Sequence, residues 1–291
     1  MDEISLQAYA KVNLGLDVLR KREDGYHEVK MIMQNISLAD TLVIRKSVEA
    51  GIRLQSNDGT ENPDVPMDQS NLVYKAIQMI KDEFGITDGI EAILTKRIPV
   101  AAGMAGGSTD AAAALKGMNQ LFSLGLSTQE LCDRGVKLGA DIPYCIQGGT
   151  ALSEGIGEVL TTLPKMPACW ILIAKPPINV STAFVYGNLK ANELTEHPDI
   201  DGMIQAIEAQ DLAGIAQRLG NVLETVTVPA YPVIAEIKQV MLDAGAMQSL
   251  MSGSGPTVFG IFAEEQKAQE AAEMIRTAGL AQQVYVTQPY N

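Results

Sequence analysis

Residues 99–110 read Pro-Val-Ala-Ala-Gly-Met-Ala-Gly-Gly-Ser-Thr-Asp, and Ala111-Ala112-Ala113-Ala114-Leu115 follow at once. Glycines and small side chains let a backbone turn tightly and approach an anion, and the alanines behind them have the highest helix propensity available. The stretch therefore predicts a loop that feeds a helix N-terminus, where unpaired amides and the positive end of the helix dipole favour phosphate. Ser108 and Thr109 offer hydroxyls to that phosphate or cap the helix. No lysine follows Gly107 and no G-x-G-x-x-G is present, so the loop fits neither of two widespread nucleotide motifs. The same composition also serves as a plain strand-to-helix connection.

Three further groups could carry chemistry. Lys11 and Asn13 stand two apart in an apolar, strand-like run and so share one face. An ammonium buried there needs a partner, whereas one at a strand end can snorkel to water. Asp141 is a lone carboxylate in Gly139-Ala140-Asp141-Ile142-Pro143, expected just past a helix C-terminus, where the dipole disfavours an anion. It meets a cation, does acid–base work, or caps the turn before Pro143. Tyr26 and His27 follow the turn signal Asp24-Gly25 and offer a ring face and a hydrogen-bonding edge to a flat heterocycle, or stand as ordinary hairpin residues.

The elements that must position these residues are legible by period and punctuation. Strands are expected at 4–19, 29–35, 40–46 and 90–98, the last running straight into the glycine loop. Helices are expected at 70–84 with Ser70 as cap, at 108–122, and at 127–139 behind the capping box Ser127…Glu130. After strand and turn material at 148–155, a strand at 170–176 opens a second half with helices at 211–223, 231–244 and 264–278. A second glycine turn, Ser252-Gly253-Ser254-Gly255-Pro256, enters a strand, and a final strand covers 284–287. At 291 residues the chain exceeds one ordinary core, so two lobes are expected.

Composition narrows the partners. Lys and Arg total 22 against 35 Asp and Glu, a formal net charge of −13. Such a surface repels nucleic acid and anionic membrane, and the expected partner is a small molecule held by local amides and a few lysines. Cys132, Cys145 and Cys169 form no C-x-x-C pair and lie near no histidine cluster, which points to reduced thiols. Asp2 and Glu3 precede any apolar run and no run reaches membrane length, so a cytoplasmic location is expected.

In order and spacing, Ala10-Lys11-Val12-Asn13-Leu14, Asp24-Gly25-Tyr26-His27, Gly106-Gly107-Ser108-Thr109-Asp110-Ala111-Ala112, Leu138-Gly139-Ala140-Asp141-Ile142-Pro143, Glu154-Gly155-Ile156-Gly157-Glu158 and Ser252-Gly253-Ser254-Gly255 resemble the GHMP small-molecule kinases, over essentially the whole chain. The resemblance implies an α+β, two-domain GHMP kinase fold. A lobe like ribosomal protein S5 domain 2 would cover 1–155, a ferredoxin-like lobe 156–291, with the active site in the cleft. Within the family, the Asp-Gly-Tyr-His and Gly-Ala-Asp-Ile-Pro segments are similar to those of members that use ATP to phosphorylate the 2-hydroxyl of 4-diphosphocytidyl-2-C-methyl-D-erythritol, a step of non-mevalonate isoprenoid biosynthesis. A member acting on a mevalonate- or homoserine-like alcohol, or a non-catalytic nucleotide-binding relative, remains open at this point.

Carried onto these positions, the family pattern makes Asp141 the base and Lys11 its cationic partner. ATP would lie on Pro99, Ala101, Gly103, Met104, Ala105, Gly106, Gly107, Ser108 and Thr109, with adenine near Asn71 and Lys96. Mg²⁺ would arrive with ATP, Ser108 touching it. The substrate's cytidine diphosphate end would meet Tyr26, His27 and Tyr186, for which Phe184 is an alternative ring, and Asn13 would reach the erythritol end. Val222 departs from the family pattern, where an Asp is common. The resemblance leaves monomer and homodimer equally open.

Overall fold

The structure, a computed structural model, describes residues 2–57 and 64–291. The chain forms two compact units, one from residues 2–10, 38–100 and 105–147 and the other from 11–37, 101–104 and 148–291. Two long strands, β1 (Glu3–Lys21) and β2 (His27–Ser47), contribute to both. β2 is continuous where the sequence suggests two strands, because Ile36, Leu38 and Ala39 keep it buried through the middle.

In the first unit, the early part of β1 and the late part of β2 join β3 (Ile52–Ser56) and β4 (Gly89–Thr95) in the order β3-β4-β2-β1. β4 runs antiparallel to β2, with Thr95 opposite Thr41, and parallel to β3. Its Ile90, Ala92 and Leu94 are buried at every second position, as a one-faced strand requires. Helix α1 (Leu72–Phe84) buries Val73, Ala76, Ile77 and Ile80 at helical spacing and stops where Gly85 turns left-handed. Helix α2 (Gly106–Leu121) buries its alanine run. Small residues let it press onto the sheet: a Cβ on Gly117 would lie 2.7 Å from Ile44 Cδ1. Helix α3 (Thr128–Gly135) starts at the expected capping box, and α4 (Ile142–Gln147) is a single buried turn and a half.

In the second unit, β5 (Thr150–Glu154) and β6 (Val159–Thr162) extend the rest of β2 and β1, and a two-residue strand, β8 (Gly220–Asn221), closes the other edge beside Gly15 and Leu16. A separate antiparallel sheet has the order β11-β7-β10-β9, from β7 (Trp170–Lys175), β9 (Gln248–Met251), β10 (Val258–Phe262) and β11 (Gln283–Thr287). Numbered within that sheet the order is 4-1-3-2, the ferredoxin-like arrangement. Helices α5 (Thr182–Asn188), α6 (Ile200–Glu208), α7 (Leu212–Gln217), α8 (Glu224–Ala230), α9 (Val233–Asp243) and α10 (Glu265–Thr277) complete it. α9 packs on β9 and β10, and α10 on β7 and β11 through Ala268, Ala271, Ala272 and Ile275. The helix expected over 211–223 ends at Gln217, because the following Gly220-Asn221 is taken into β-pairing.

Asn221 explains why that pairing holds. Its buried amide donates to the Met251 and Gly253 carbonyls, both at 2.8 Å, and its oxygen accepts the Leu223 amide at 2.9 Å. Asn221→Ala strands three buried backbone groups, each worth about 1–3 kcal/mol when left unpaired. The variant is expected to lose about 3 kcal/mol of stability or more, followed through the fluorescence of Trp170, the one tryptophan of the chain. An unchanged denaturation midpoint would show that the turn is held by something else.

Candidate active site

In the first unit, α2 begins at Gly106, two residues before the expected start, and its N-cap is Ala105 in the left-handed region at φ 56°. Ser108 and Thr109 therefore sit inside the first turn and do not cap it. The Thr109 hydroxyl donates to the Tyr9 carbonyl at 2.9 Å, fastening the turn to β1. Among the described residues no side chain caps α2, and its first turn carries no acid. Amides at such an end are open to an anion, and the dipole favours one. Ala101 is left-handed too, at φ 49°. A left-handed alanine costs about 1–2 kcal/mol, so the loop is held in shape by its surroundings and not by its own preference.

Those surroundings are charged. Asp40 on β2 is fully buried and accepts the amides of Arg97 and Ile98, the residues that lead into Pro99. Its other oxygen pairs with the Lys96 ammonium, which also donates to Asp110 on α2 at 2.7 Å. The remaining Asp110 oxygen is buried with no hydrogen-bond partner. Burial, helped by the Asp40 carboxylate and opposed by Lys96, pushes Asp110 up to about 8. Lys96 is raised: its two carboxylates outweigh the burial that acts against its charge.

Asp141 stands half-buried directly before α4, and its carbonyl accepts the Cys145 amide at 3.1 Å. This corrects the expected setting: α3 has already ended at Gly135, so Asp141 lies at a helix start, where an anion is favoured. The buried phenol of Tyr144 is raised well above its ordinary value, mainly by burial and in part by the Asp141 charge. Asn71, not Ser70, caps α1: its oxygen accepts the Val73 amide at 2.9 Å and its amide donates to the Pro66 carbonyl. The polar ends of Asn71 and Lys96 are thus engaged within the protein.

In the second unit, Lys11 and Asn13 lie together on β1, both buried, with the ammonium donating to Asn13 Oδ1 at 2.6 Å. The Lys11 backbone amide donates to the Met104 carbonyl. The late glycine turn presses on Gly103: the Ser252 hydroxyl donates to the Gly103 carbonyl at 3.0 Å, and a Cβ on Gly103 would lie 2.2 Å from the Ser252 carbonyl oxygen. Only glycine fits there, and its φ of 71° independently demands it. The His27 and Tyr186 rings face each other at 5.0 Å with a 45° tilt, while Tyr26 is 59% exposed and Phe184 is exposed outside the pair. Burial, with a smaller contribution from Lys21, lowers the His27 pKa, so its ring is neutral at pH 7.

Sequence reasoning passes over two pairings. His197, which no sequence motif marks, meets the buried Asp17 carboxylate at 2.8 Å. Asp40, an acid in a buried strand, was readable as a group in need of a cation, but the identity of that cation depends on the fold. All three cysteines are thiols outside any disulfide; burial raises Cys132 and pushes Cys169 up to about 12, and neither is a ready nucleophile. Among the described residues no three His, Cys, Asp or Glu gather to hold a metal ion, and no helix is long and apolar enough to cross a membrane. The donor set suits a Mg²⁺ that keeps phosphate and water ligands, with Ser108 presenting one half-buried hydroxyl on α2.

Residues 71–149 match the family model described as GHMP kinases N terminal domain, and 203–280 the model described as GHMP kinases C terminal. A 4-diphosphocytidyl-2-C-methyl-D-erythritol kinase of Lachnospira eligens is 53% identical over 290 residues, covering 100% of this chain and 99% of its own. One from Enterococcus faecalis is 47% identical, covering 98% of each. The crystal structure of a 4-(cytidine 5'-diphospho)-2C-methyl-D-erythritol kinase matches with TM-score 0.83 at 30% identity, over 99% of this chain and 100% of that one. A homoserine kinase from Cytophaga hutchinsonii, 22% identical over 99% of this chain and 94% of its own, shares the fold with TM-score 0.76.

The charge cluster has a pH signature. Asp110 binds its proton more tightly folded than unfolded, so its contribution to stability is complete below about pH 4 and is lost as pH rises through about 8. Asp110→Asn cannot titrate. The stability of the natural protein relative to this variant is expected to fall between pH 5 and 8.5 in urea titrations, and a constant or rising difference would contradict a carboxyl held protonated in the fold.

Proposed function

The chain belongs to the GHMP kinase family, and from that premise we propose that it transfers the γ-phosphoryl group of ATP to the 2-hydroxyl of 4-diphosphocytidyl-2-C-methyl-D-erythritol. The observation that carries the choice of alcohol is the 53% identity, along the whole chain, to a kinase named for it. The chain's own residues supply parts that such a reaction needs. An uncapped helix start suits the phosphates of ATP, and a neutral His27 beside the Tyr186 ring suits a cytosine edge and face.

Phosphoryl transfer is largely positioning and charge neutralisation. In this reading the amides from Gly103 to Thr109 hold the phosphates. Pro99, Ala101, Met104 and Ala105 shape the loop. Because the polar ends of Asn71 and Lys96 are engaged, adenine is offered their backbone and aliphatic parts. When bound with ATP, Mg²⁺ neutralises phosphate charge, and Ser108 is the residue that would hold it. Tyr26, His27 and Tyr186 take the cytidine end, and Asn13 orients the tetritol. Asp141 accepts the proton of the attacking hydroxyl, and Lys11 stabilises charge developing between that oxygen and the γ-phosphate. The bond between Lys11 and Asn13 fixes the ammonium, so one short strand segment serves both charge and orientation.

Asp141→Ala is expected to remain folded and to lose about 10²–10⁴-fold in turnover, the usual worth of a general base, read as ADP release with ATP and the cytidyl substrate. Normal turnover by this variant would take Asp141 out of the chemistry. Tyr186→Ala is expected to raise KM for the alcohol by about tenfold, through loss of a stacking ring worth roughly 1 kcal/mol or more. Its KM for ATP stays put. A rise in KM for ATP alone would put this ring on the nucleotide instead.

A further inference from the structure

We propose that Asp40, Lys96 and Asp110 form a positioning cluster for the glycine loop, in which one buried ammonium ties the segment entering the loop to the helix leaving it and so sets the affinity for ATP. The proposal rests on the reading of that loop as the ATP phosphate site. The cluster itself, Asp40, Lys96 and Asp110, lies wholly in the first unit.

At the entering end, one Asp40 oxygen takes the amides of Arg97 and Ile98, leaving Pro99 to begin the loop from a fixed backbone. The other Asp40 oxygen takes the Lys96 ammonium. At the leaving end, the same ammonium donates to Asp110, one turn into α2. It also packs against the first residue of that helix, since a Cβ on Gly106 would lie 3.3 Å from Lys96 Nζ. Between these two anchors the chain adopts the left-handed alanines 101 and 105. Residues of that type do not hold such a shape unaided, and the anchors supply the restraint at the two ends of the loop.

The charge balance points the same way. Two carboxylates share one ammonium, and the unpartnered Asp110 oxygen shows that the cluster is not built to satisfy two full negative charges. The charged groups acting on Asp110 are Lys96 and Asp40. Of the helices packed on α2, α1 turns Val73, Ala76, Ile77 and Ile80 to its buried side and α3 turns Leu131 and Gly135. α4 buries Ile142, Pro143, Cys145 and Ile146 with the phenol of Tyr144, which burial keeps neutral. With Asp110 protonated the cluster is neutral and the positive end of α2 faces the phosphates undiminished. With Asp110 ionised a net negative charge sits behind them.

The test is calorimetric titration of ATP into the natural protein and into Asp110→Ala, Asp110→Asn, Lys96→Met and Lys96→Arg, with melting temperatures measured alongside. A displaced loop no longer aims its amides at the phosphates, and each charge-assisted hydrogen bond lost weakens binding about tenfold or more. Asp110→Ala and Lys96→Met are expected to weaken ATP roughly tenfold or more in molecules that still melt cooperatively, and Asp110→Asn to recover most of the loss, since its amide oxygen still accepts from Lys96. The KM for the alcohol should not follow. In the natural protein ATP affinity should also decline between pH 7 and 9, and in Asp110→Asn that decline should be absent. Should Lys96→Met fail to fold, Asp110→Ala decides the matter, because it leaves the Asp40–Lys96 pair intact. Unchanged ATP affinity with lowered melting temperatures would reduce the cluster to a structural one and overturn the proposal. Failure of the natural protein itself to bind ATP would instead overturn the kinase reading on which the proposal stands.

Discussion

A lysine ammonium shared by two buried carboxylates constrains where the glycine loop leaves its strand and where it enters its helix. Burying three ionisable groups together is costly unless each finds a partner, and removing one leaves an uncompensated charge. Each member has its own part: Asp40 fixes the backbone before Pro99, Lys96 spans the gap, and Asp110 fixes α2. What it yields is a helix start that no side chain has closed. An open helix start is a poor place for a protein to leave unoccupied, and a good place for phosphate.

The second unit meets a different problem with different means. Here the glycine turn around Ser252 must come within a backbone's width of Gly103, and the approach is secured by polar saturation and not by charge. Asn221 holds two carbonyls and an amide, the Ser252 hydroxyl holds the Gly103 carbonyl, and the absent Cβ of Gly103 makes room. On β1, the same alternation that buries Lys11 and Asn13 side by side turns a strand into a holder for an ammonium. In the proposed reading, recognition of the acceptor falls to rings at the start of β2 and in α5, His27 and Tyr186, which face each other.

Much of this is legible in the chain because its signals are local. The glycine run, the alanines, the Ser127 capping box and the Lys11–Asn13 alternation each act within a few residues, and each appears as read. Errors arise where a distant partner decides. The start of α2 moves to Gly106, and the Thr109 hydroxyl goes not to a cap but to Tyr9, a hundred positions away in sequence. Asp141 reads as a misplaced anion until α3 is seen to end early and α4 to begin beside it. Gly220 and Asn221 leave their helix for a strand pairing with Gly15 and Leu16. His197 goes unmarked in the sequence because Asp17 lies 180 positions away. Asp40 is the plainest case: an acid in a buried strand announces a missing cation, but nothing in its neighbourhood names Lys96.

In the proposed reading the first turn of α2 receives the phosphates of ATP. The most direct measurement is the backbone amide NMR spectrum of the protein titrated with ATP. The largest shifts are expected at Gly106, Gly107, Ser108 and Thr109, whose amides gain an anionic acceptor. Saturable ATP binding that leaves those four resonances in place, with the shifts concentrated elsewhere, would contradict it.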